Sequence, residues 1–565
     1  MPLRLWPPST EPARIHQRLG PSAALQLGLH RQAEARAIEA AAARELPAGT
    51  LMQRAGAAVA ALTRALSPHA RQVLVLAGPG NNGGDGFEAA WRLQAAGVPV
   101  RVLWAGADAK LPADAFAAWQ RAVAAGIDIS PAATNMLRAG LGSADLVIDA
   151  LLGRGLNRPV DGMLAELIDT LNASGIDVLA VDLPSGLQGD TGWQGSGKDG
   201  TPAPHVRARW TLALLSLPPG LWMAQGRDAC GEIWFDNLGV DATAVLPPAA
   251  WLNLGRHGGV PQRLHAGHKG SYGDVVVLGG ASGMVGAATL AARAALQAGA
   301  GRVYLQALDP ATARIDQVTP ELMSTLAVSA SDDPAGASGA PVHAAAAQQL
   351  GADEPGARQL EAATVVAGCG GGRSVTAHLH GLIRHAARLV LDADALNALA
   401  GQSALQQALR ERGRRGLASV ITPHPLEAAR LLGSNVAQVQ RDRLLAAQAL
   451  ADQLACCVVL KGSGSVIAAP GCTPAVNPSG NAALATPGSG DVLAGWLAGH
   501  WSQAAGHVAH GTAAASSSSR HTADLCAAAV WSHGRAAEFA SPAGKALPAS
   551  LLVAELGAGR RAGRW

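Results

Sequence analysis

The sequence predicts an α/β protein of two domains, each built on a doubly wound sheet. Three observations carry that prediction. Short, continuous apolar runs such as QVLVLA at 72–77 alternate with helical stretches, as strands buried on both faces of a parallel sheet do. Glycine- or acid-rich clusters follow those runs directly, where open α/β sheets bind their ligands. A Pro- and Gly-containing stretch without a clear period, residues 242–263, divides two such series. A chain of 565 residues also exceeds one ordinary domain.

Composition narrows the class. Hydrophobic content of 49% with 15% charged residues describes a well-cored globular chain and not a disordered one. A net charge of +3 with scattered arginines gives no sign of a nucleic-acid surface. The six cysteines show neither CxxC nor zinc spacing, so reduced, structural thiols are expected. The N-terminus lacks the apolar core of a signal peptide, and the apolar stretch at 210–224 is broken by Pro218, Pro219 and Gly220. A cytoplasmic protein without membrane or nucleic-acid partners is expected, as a homo-oligomer.

Taken in order, residues 1–22 read as a loose leader. Residues 31–66 carry helical periodicity with a break at Pro47-Ala48-Gly49. Strands are predicted at 72–77, 98–104, 144–152, 176–182 and 211–217, with helices at 87–96, 113–125 and 166–173. Three loops at strand ends draw attention: GPGNNGGDG (78–86), DALLGRGLNRP (149–159) and DLPSG (182–186). The first holds Asn81, Asn82, Gly83, Gly84 and Asp85, a backbone able to wrap a phosphate or a cation. Singly, each acid (Asp85, Asp149 or Asp182) also reads as a turn cap. At the ends of neighbouring strands they argue for one shared site in a Rossmann-like sheet.

These motifs, with the preceding GTLMQRAG at 49–56, resemble the N-terminal domain of the NAD(P)H-hydrate epimerase family. The resemblance covers roughly residues 30–240. It implies that Asn81, Asn82, Gly83, Gly84, Asp85, Gly153, Arg154, Gly155, Leu156, Asn157, Arg158, Pro159 and Asp182 bind the hydrated nucleotide. It also implies a potassium ion on Asn82, Asp149 and Ser185, hard oxygen ligands for a hard cation. Inversion at C6 of the hydrate needs acid/base help. Asp149 is the candidate, and its ligand and proton-transfer roles compete.

The second series starts with a strand at 274–278, a small-residue loop at 279–286, a helix at 287–298 and a strand at 302–305. Further strands at 363–367, 388–391, 418–421 and 456–460 run into GCGGGRS (368–374), DADALN (392–397), TPHPLE (422–427) and KGSGSVI (461–467). The last cluster is GNAALATPGSGDVLAG, 480–495. Its glycines precede an apolar helical run, so free N–H groups and the positive helix end can face a phosphate, with Asp491 at the rim. The same stretch also reads as a plain helix start with an N-terminal acid. His424, held between two prolines, suits binding or a satisfied loop. Lys461 beside a glycine turn suits phosphate or an ordinary edge. Residues 503–524, rich in His, Ala and Ser, read as an insertion without function.

Together HKGSYG (268–273), GAATLAARAAL (286–296) and the motifs just quoted resemble the ADP-dependent NAD(P)H-hydrate dehydratase family, whose fold is ribokinase-like. The resemblance implies ADP on Lys461, Gly462, Ser463, Gly464, Ser465 and Gly490. It places the hydrate on Ala287, Gly370, His424 and Asp491, with Asp491 as base. Mg²⁺ is expected from phosphoryl transfer and from no visible ligand set. Departures from the family pattern are Cys369, Leu426, Pro487 and Ser489. The implied domains are an epimerase at 23–245, a linker at 246–261 and a dehydratase at 262–558. The implied function is repair: R and S hydrates interconvert, and the S form is dehydrated with ADP. A ribokinase-like vitamin or sugar kinase with an accessory nucleotide-binding domain is the alternative. A non-catalytic scaffold role for one half fits less well, because Asp149, Asp182, Lys461 and Asp491 are all present.

Overall fold

The computed structural model describes residues 3–6, 27–106, 111–197, 200–255, 263–310, 316–327, 360, 362–508 and 519–565. The chain forms two compact units, Met1–Leu252 and Asn253–Trp565. Both are α/β.

In the first unit the strands are β1 (Leu3–Trp6), β2 (Leu27–Leu29), β3 (Val73–Ala77), β4 (Val100–Trp104), β5 (Asp128–Pro131), β6 (Leu146–Ala150), β7 (Val178–Val181), β8 (Trp210–Leu214), β9 (Glu232–Asp236) and β10 (Ala250–Leu252). Its helices are α1 (Gln32–Glu45), α2 (Thr50–Leu66), α3 (Asn81–Ala95), α4 (Ala113–Ala124), α5 (Thr134–Leu141) and α6 (Gly162–Ser174). The sheet runs β1-β9-β8-β7-β6-β3-β4-β5. All its pairs are parallel except β1 on β9. Every residue of β3, β6, β7 and β8 is buried, which explains their apolar sequence, broken only by Asp149 in β6 and Thr211 in β8. Strands β3, β6 and β7 are neighbours, so the three marked loops do leave one edge of the sheet together.

Three expectations change. Residues 3–6 of the expected leader form an edge strand, and residues 7–22 lie outside the described residues. The predicted Gly-rich loop at 78–86 is only three residues long, because α3 starts at Asn81. Its glycines are there for packing. A Cβ on Gly83 would meet Gly78 O at 2.0 Å, and one on Gly86 would meet Ala150 Cβ at 2.8 Å. They let the helix press onto the strand ends. Third, β5 gave no apolar run because it is an edge strand bearing exposed Asp128 and Pro131.

In the second unit, β11 (Asp274–Gly279), α7 (Val285–Gln297), β12 (Arg302–Ala307) and β13 (Met323–Leu326) are followed by β14 (Thr364–Ala367), β15 (Arg388–Leu391), β16 (Ser419–Ile421), β17 (Cys457–Leu460), β18 (Ser465–Ala468) and β19 (Ala475–Asn477). The order is β13-β12-β11-β14-β15-β16-β17-β18-β19, parallel up to β17 and antiparallel beyond it. Helices α8 (Pro425–Leu432), α9 (Arg443–Leu454), α10 (Ser489–Val508) and α11 (Ser519–Ala540) build the site and its support. Helix α10 packs on α7 so closely that a Cβ on Gly495 would lie 1.9 Å from Ala291 O. That approach explains the small-residue faces of both helices. Of the expected 503–524 insertion, 503–508 ends α10, 519–524 begins α11, and the residues between lie outside the described residues. No helix among the described residues is long and apolar enough to cross a membrane.

Candidate active sites

The first site lies at the carboxyl ends of β3, β6 and β7. A cleft of about 740 Å³ is lined by Asn81, Asn82, Asp85, Gly153, Arg154, Gly155, Leu156, Asn157, Arg158 and Asp182. Its floor is the start of α3, which has no side-chain cap, so the first N–H groups of the helix are free for an anion. Helix α1 adds Gln32, Arg36 and Glu39 to the wall. The sequence reading gave that helix no part in the site. The spacing of residues 32, 36, 39 and 43 along one face was the available signal.

Arg154 and Asp182 form a two-pronged pair inside the cleft, at 2.6 Å and 3.0 Å. The same guanidinium donates to Ser216 Oγ at 2.9 Å and to the carbonyls of Leu214 and Ser216. This cross-linking fixes both side chains and accommodates the positive φ of Asp182, 66°. Burial raises the Asp85 carboxyl well above its ordinary value, reinforced by the Asp182, Glu39 and Glu88 charges.

Five predicted residues do not line the cleft. Gly83 and Gly84 serve helix packing, and Pro159 sits against Gly195. Asp149 is fully buried beneath the wall. It accepts from Ser185 Oγ at 2.6 Å, Ser185 N at 2.8 Å and Leu151 N at 3.2 Å. Burial raises its carboxyl to about 6 despite those bonds. Ser185 is equally buried. Buried Asn82 leaves its Nδ2 without a partner, so its amide is uncommitted. Asn82 in the first turn of α3, Asp149 at the end of β6 and Ser185 beyond β7 are thus all buried, and each carries a side-chain oxygen.

The second site is built where β14, β15, β16 and β17 deliver their loops to the N-terminus of α10. Gly370, at φ 57°, comes so close to α7 that a Cβ there would meet Ala287 Cβ at 2.9 Å. Lys461 Nζ stands 3.2 Å from the position of a Cβ on Gly490. An ammonium beside the positive end of a helix favours an anion there. Ser489 closes the preceding turn by donating to Leu484 O at 2.8 Å, and His533 Nε2 binds Ser489 O at 3.0 Å. The Pro487 departure thus sits in a turn tied down by its neighbours.

Asp491 is in the first turn of α10. Burial raises its carboxyl to about 6, with Asp392 adding to the rise and the Cys369 hydrogen bond and Lys461 opposing it. Ligand atoms of Cys369, Asp392 and Asp491 lie within 4.8 Å of one another. The thiol occupying the departure at 369 is therefore a hydrogen-bond partner of Asp491.

His424 caps α8. Its Nδ1 accepts from Leu426 N at 3.1 Å and Glu427 N at 3.2 Å, and Glu427 Oε2 accepts from His424 N at 2.8 Å. Burial, then Lys461, lowers the imidazole's affinity for a proton, so the neutral ring carries its hydrogen on Nε2. Leu426, the remaining departure, is an exposed residue of the same turn.

Two residues were missed in this site. Arg443 is buried and donates to the carbonyls of Leu460, Lys461 and Gly464 at 3.0 Å, 3.1 Å and 3.4 Å, holding the turn that contains Gly462, Ser463, Gly464 and Ser465. Nothing in its helical context marks it. Asp392 accepts from Lys461 Nζ at 2.6 Å and Thr422 Oγ1 at 2.8 Å. Its place directly after a strand was the signal.

Comparison with known proteins follows the same division. Residues 48–220 match the family described as YjeF-related protein N-terminus, and residues 275–555 match the NAD(P)H-hydrate dehydratase family. The chain is 36% identical over 486 residues to a bifunctional NAD(P)H-hydrate repair enzyme of Escherichia coli K12, covering 82% of this chain and 84% of that one. A bifunctional NAD(P)H-hydrate repair enzyme of Leishmania major is 33% identical, covering 84% and 86%. Among solved structures, an ADP/ATP-dependent NAD(P)H-hydrate dehydratase of Bacillus subtilis, co-crystallised with ATP and Mg²⁺, is 25% identical. It matches 54% of this chain and 94% of its own, with a TM-score of 0.38.

Proposed function

The chain belongs to the family of bifunctional NAD(P)H-hydrate repair enzymes, and we propose the following division of chemistry between its two sites. The first unit inverts C6 of the hydrate, and the second returns the S hydrate to NAD(P)H at the expense of ADP.

In the first cleft the free N–H groups of α3 take the diphosphate, while Asn81, Asp85 and the 153–159 loop hold the nucleotide. Arg154 and Asp182, locked together, present a rigid polar wall. Potassium fits the oxygens of Asn82, Asp149 and Ser185, and when bound it would tie the three strand ends together electrostatically. The burial of Asp149 favours its role as a ligand over direct contact with C6. Replacing K⁺ by a bulky organic cation at constant ionic strength should slow interconversion of the R and S hydrates, followed chromatographically without ADP. An unchanged rate removes the cation from the scheme.

In the second site Asp491 takes the proton of the C6 hydroxyl. The oxygen attacks the β-phosphorus of ADP, AMP departs, and the N–H groups of Gly488 and Gly490 with Lys461 stabilise the transferring charge. The ring nitrogen then expels phosphate from C6, and loss of a C5 proton restores the dihydronicotinamide. Mg²⁺ would arrive on the phosphate oxygens of ADP. The Cys369, Asp392 and Asp491 group does not suit it, since it includes a thiol and Asp392 already holds Lys461.

The observation that carries this reading is a half-buried carboxylate of raised basicity at a helix N-terminus shared with a lysine. Asp491→Ala should cut ADP-dependent recovery of nicotinamide absorbance by ~10²–10⁴ and leave epimerisation intact. A normal dehydration rate in that variant would sink the assignment. A small-molecule kinase would instead accumulate a phosphorylated product.

A further inference from the structure

Lys461 reaches toward two carboxylates and is bonded to one of them. Its Nζ donates to Asp392 Oδ1 at 2.6 Å, and Thr422 Oγ1 donates to that same oxygen at 2.8 Å. The Lys461 amide in turn donates to Pro423 O at 2.9 Å, tying the start of the KGSG turn to the neighbouring strand end. Asp392 is buried, and its Oδ2 lies 3.9 Å from the position of a Cβ on Gly490. The pair therefore stands against the first turn of α10, beside the base.

We propose that Asp392 is a positioning residue of the dehydration step: it holds the Lys461 ammonium at the mouth of α10 and keeps that charge from neutralising Asp491. This rests on the dehydratase reading of the site. The physical reason is charge economy in a closed space. A free ammonium beside Asp491 would stabilise its ionised form and make it a poorer base. Paired with Asp392, the ammonium keeps donors for a phosphoryl oxygen while its net field at Asp491 is largely cancelled.

The groups that face Asp491 are Cys369 after β14, Asp392 and Asp394 after β15, and Lys461 after β17. His424 and Glu427 after β16 and His533 of α11 act on Lys461 or are acted on by it. Within this set Asp392 is the carboxylate bonded to the lysine.

The test is the pH profile of ADP-dependent dehydration by the full-length Asp392→Asn protein, with ADP and hydrate saturating. The variant should lose ~10²-fold in kcat through the misplaced ammonium. Its acid limb should move about one pH unit downward as the freed charge falls on Asp491. Adding Lys461→Gln should bring the limb back while kcat stays low. Epimerisation, measured without ADP, reports whether the rest of the chain is intact. A uniform loss of kcat with an unmoved limb would make Asp392 purely structural and overturn the proposal, as would an unchanged profile. If Asp392→Asn does not melt cooperatively, Thr422→Val removes one bond to the same oxygen. It should shift the limb in the same direction, and a profile identical to that of the parent overturns the proposal. A parent protein that fails to restore nicotinamide absorbance with ADP overturns the dehydratase reading itself.

Discussion

At the scale of single residues, Asp491 owes its chemistry to its surroundings. An exposed aspartate would be ionised far below neutral pH and too weak a base to help a hydroxyl. Here burial, reinforced by Asp392, lifts the carboxyl to about 6. The acting form is the deprotonated one, so activity is lost as pH falls through that value. At saturating ADP and S hydrate, kcat for dehydration should level off above pH 7 and drop roughly tenfold per unit well below 6. Rapid-mixing assays of nicotinamide absorbance between pH 4.5 and 8 would show it, and a flat profile across that span would exclude Asp491 as the titrating base. The helix start at 488–491 was legible as an anion site because glycines and an acid stood before an apolar helix. The basicity of Asp491 was not legible, since it depends on Cys369, Asp392 and Lys461, which come from three other loops.

At the scale of elements, the two sites depend on helices pressed unusually close to what they cover. Helix α3 reaches the strand ends because Gly83 and Gly86 leave no side chains in the way, Gly84 does the same toward Ala115 of α4 and Met52 of α2, and α10 approaches α7 across Gly495. A methyl at 495 has no space to enter, as it would overlap Ala291 O, whereas one at Gly286 on α7 meets nothing within 4 Å. Gly495→Ala should therefore destabilise the second unit by about 2–3 kcal/mol. Gly286→Ala should be neutral or mildly stabilising. Denaturant midpoints read from loss of dehydration would separate the two, and equal midpoints would deny the close packing of α7 on α10. This also explains which elements the sequence revealed. Fully buried strands such as β3 and β7 announced themselves by unbroken apolar runs. Edge strands β1 and β5 did not, because only one side of an edge strand is paired and their residues are mixed. The start of α3 was read as loop because glycine signals flexibility in a sequence, while in this fold it supplies closeness.

At the scale of the whole molecule, the described residues assigned to each candidate site come from one unit. Every residue lining the first cleft precedes residue 239, and the second site draws on α7, the ends of β14–β17, α8 and α10, all beyond residue 284. Joining them in one chain therefore supplies two catalysts at equal concentration and requires no shared residue. The product of the first, the S hydrate, is the substrate of the second and is a small molecule able to leave and rebind. Asp491→Ala should cripple the second activity alone, and Asp182→Ala, which unlocks Arg154 in the first cleft, should impair epimerisation alone. Neither variant by itself should fully recover nicotinamide absorbance from a mixture of R and S hydrates with ADP. Mixed in equal amounts, the two should recover all of it, at a rate rising with protein concentration, because the S hydrate can travel between chains. If the mixture recovered no more than Asp182→Ala alone, transfer would have to occur within a single chain, and the two halves would be linked by more than their common synthesis.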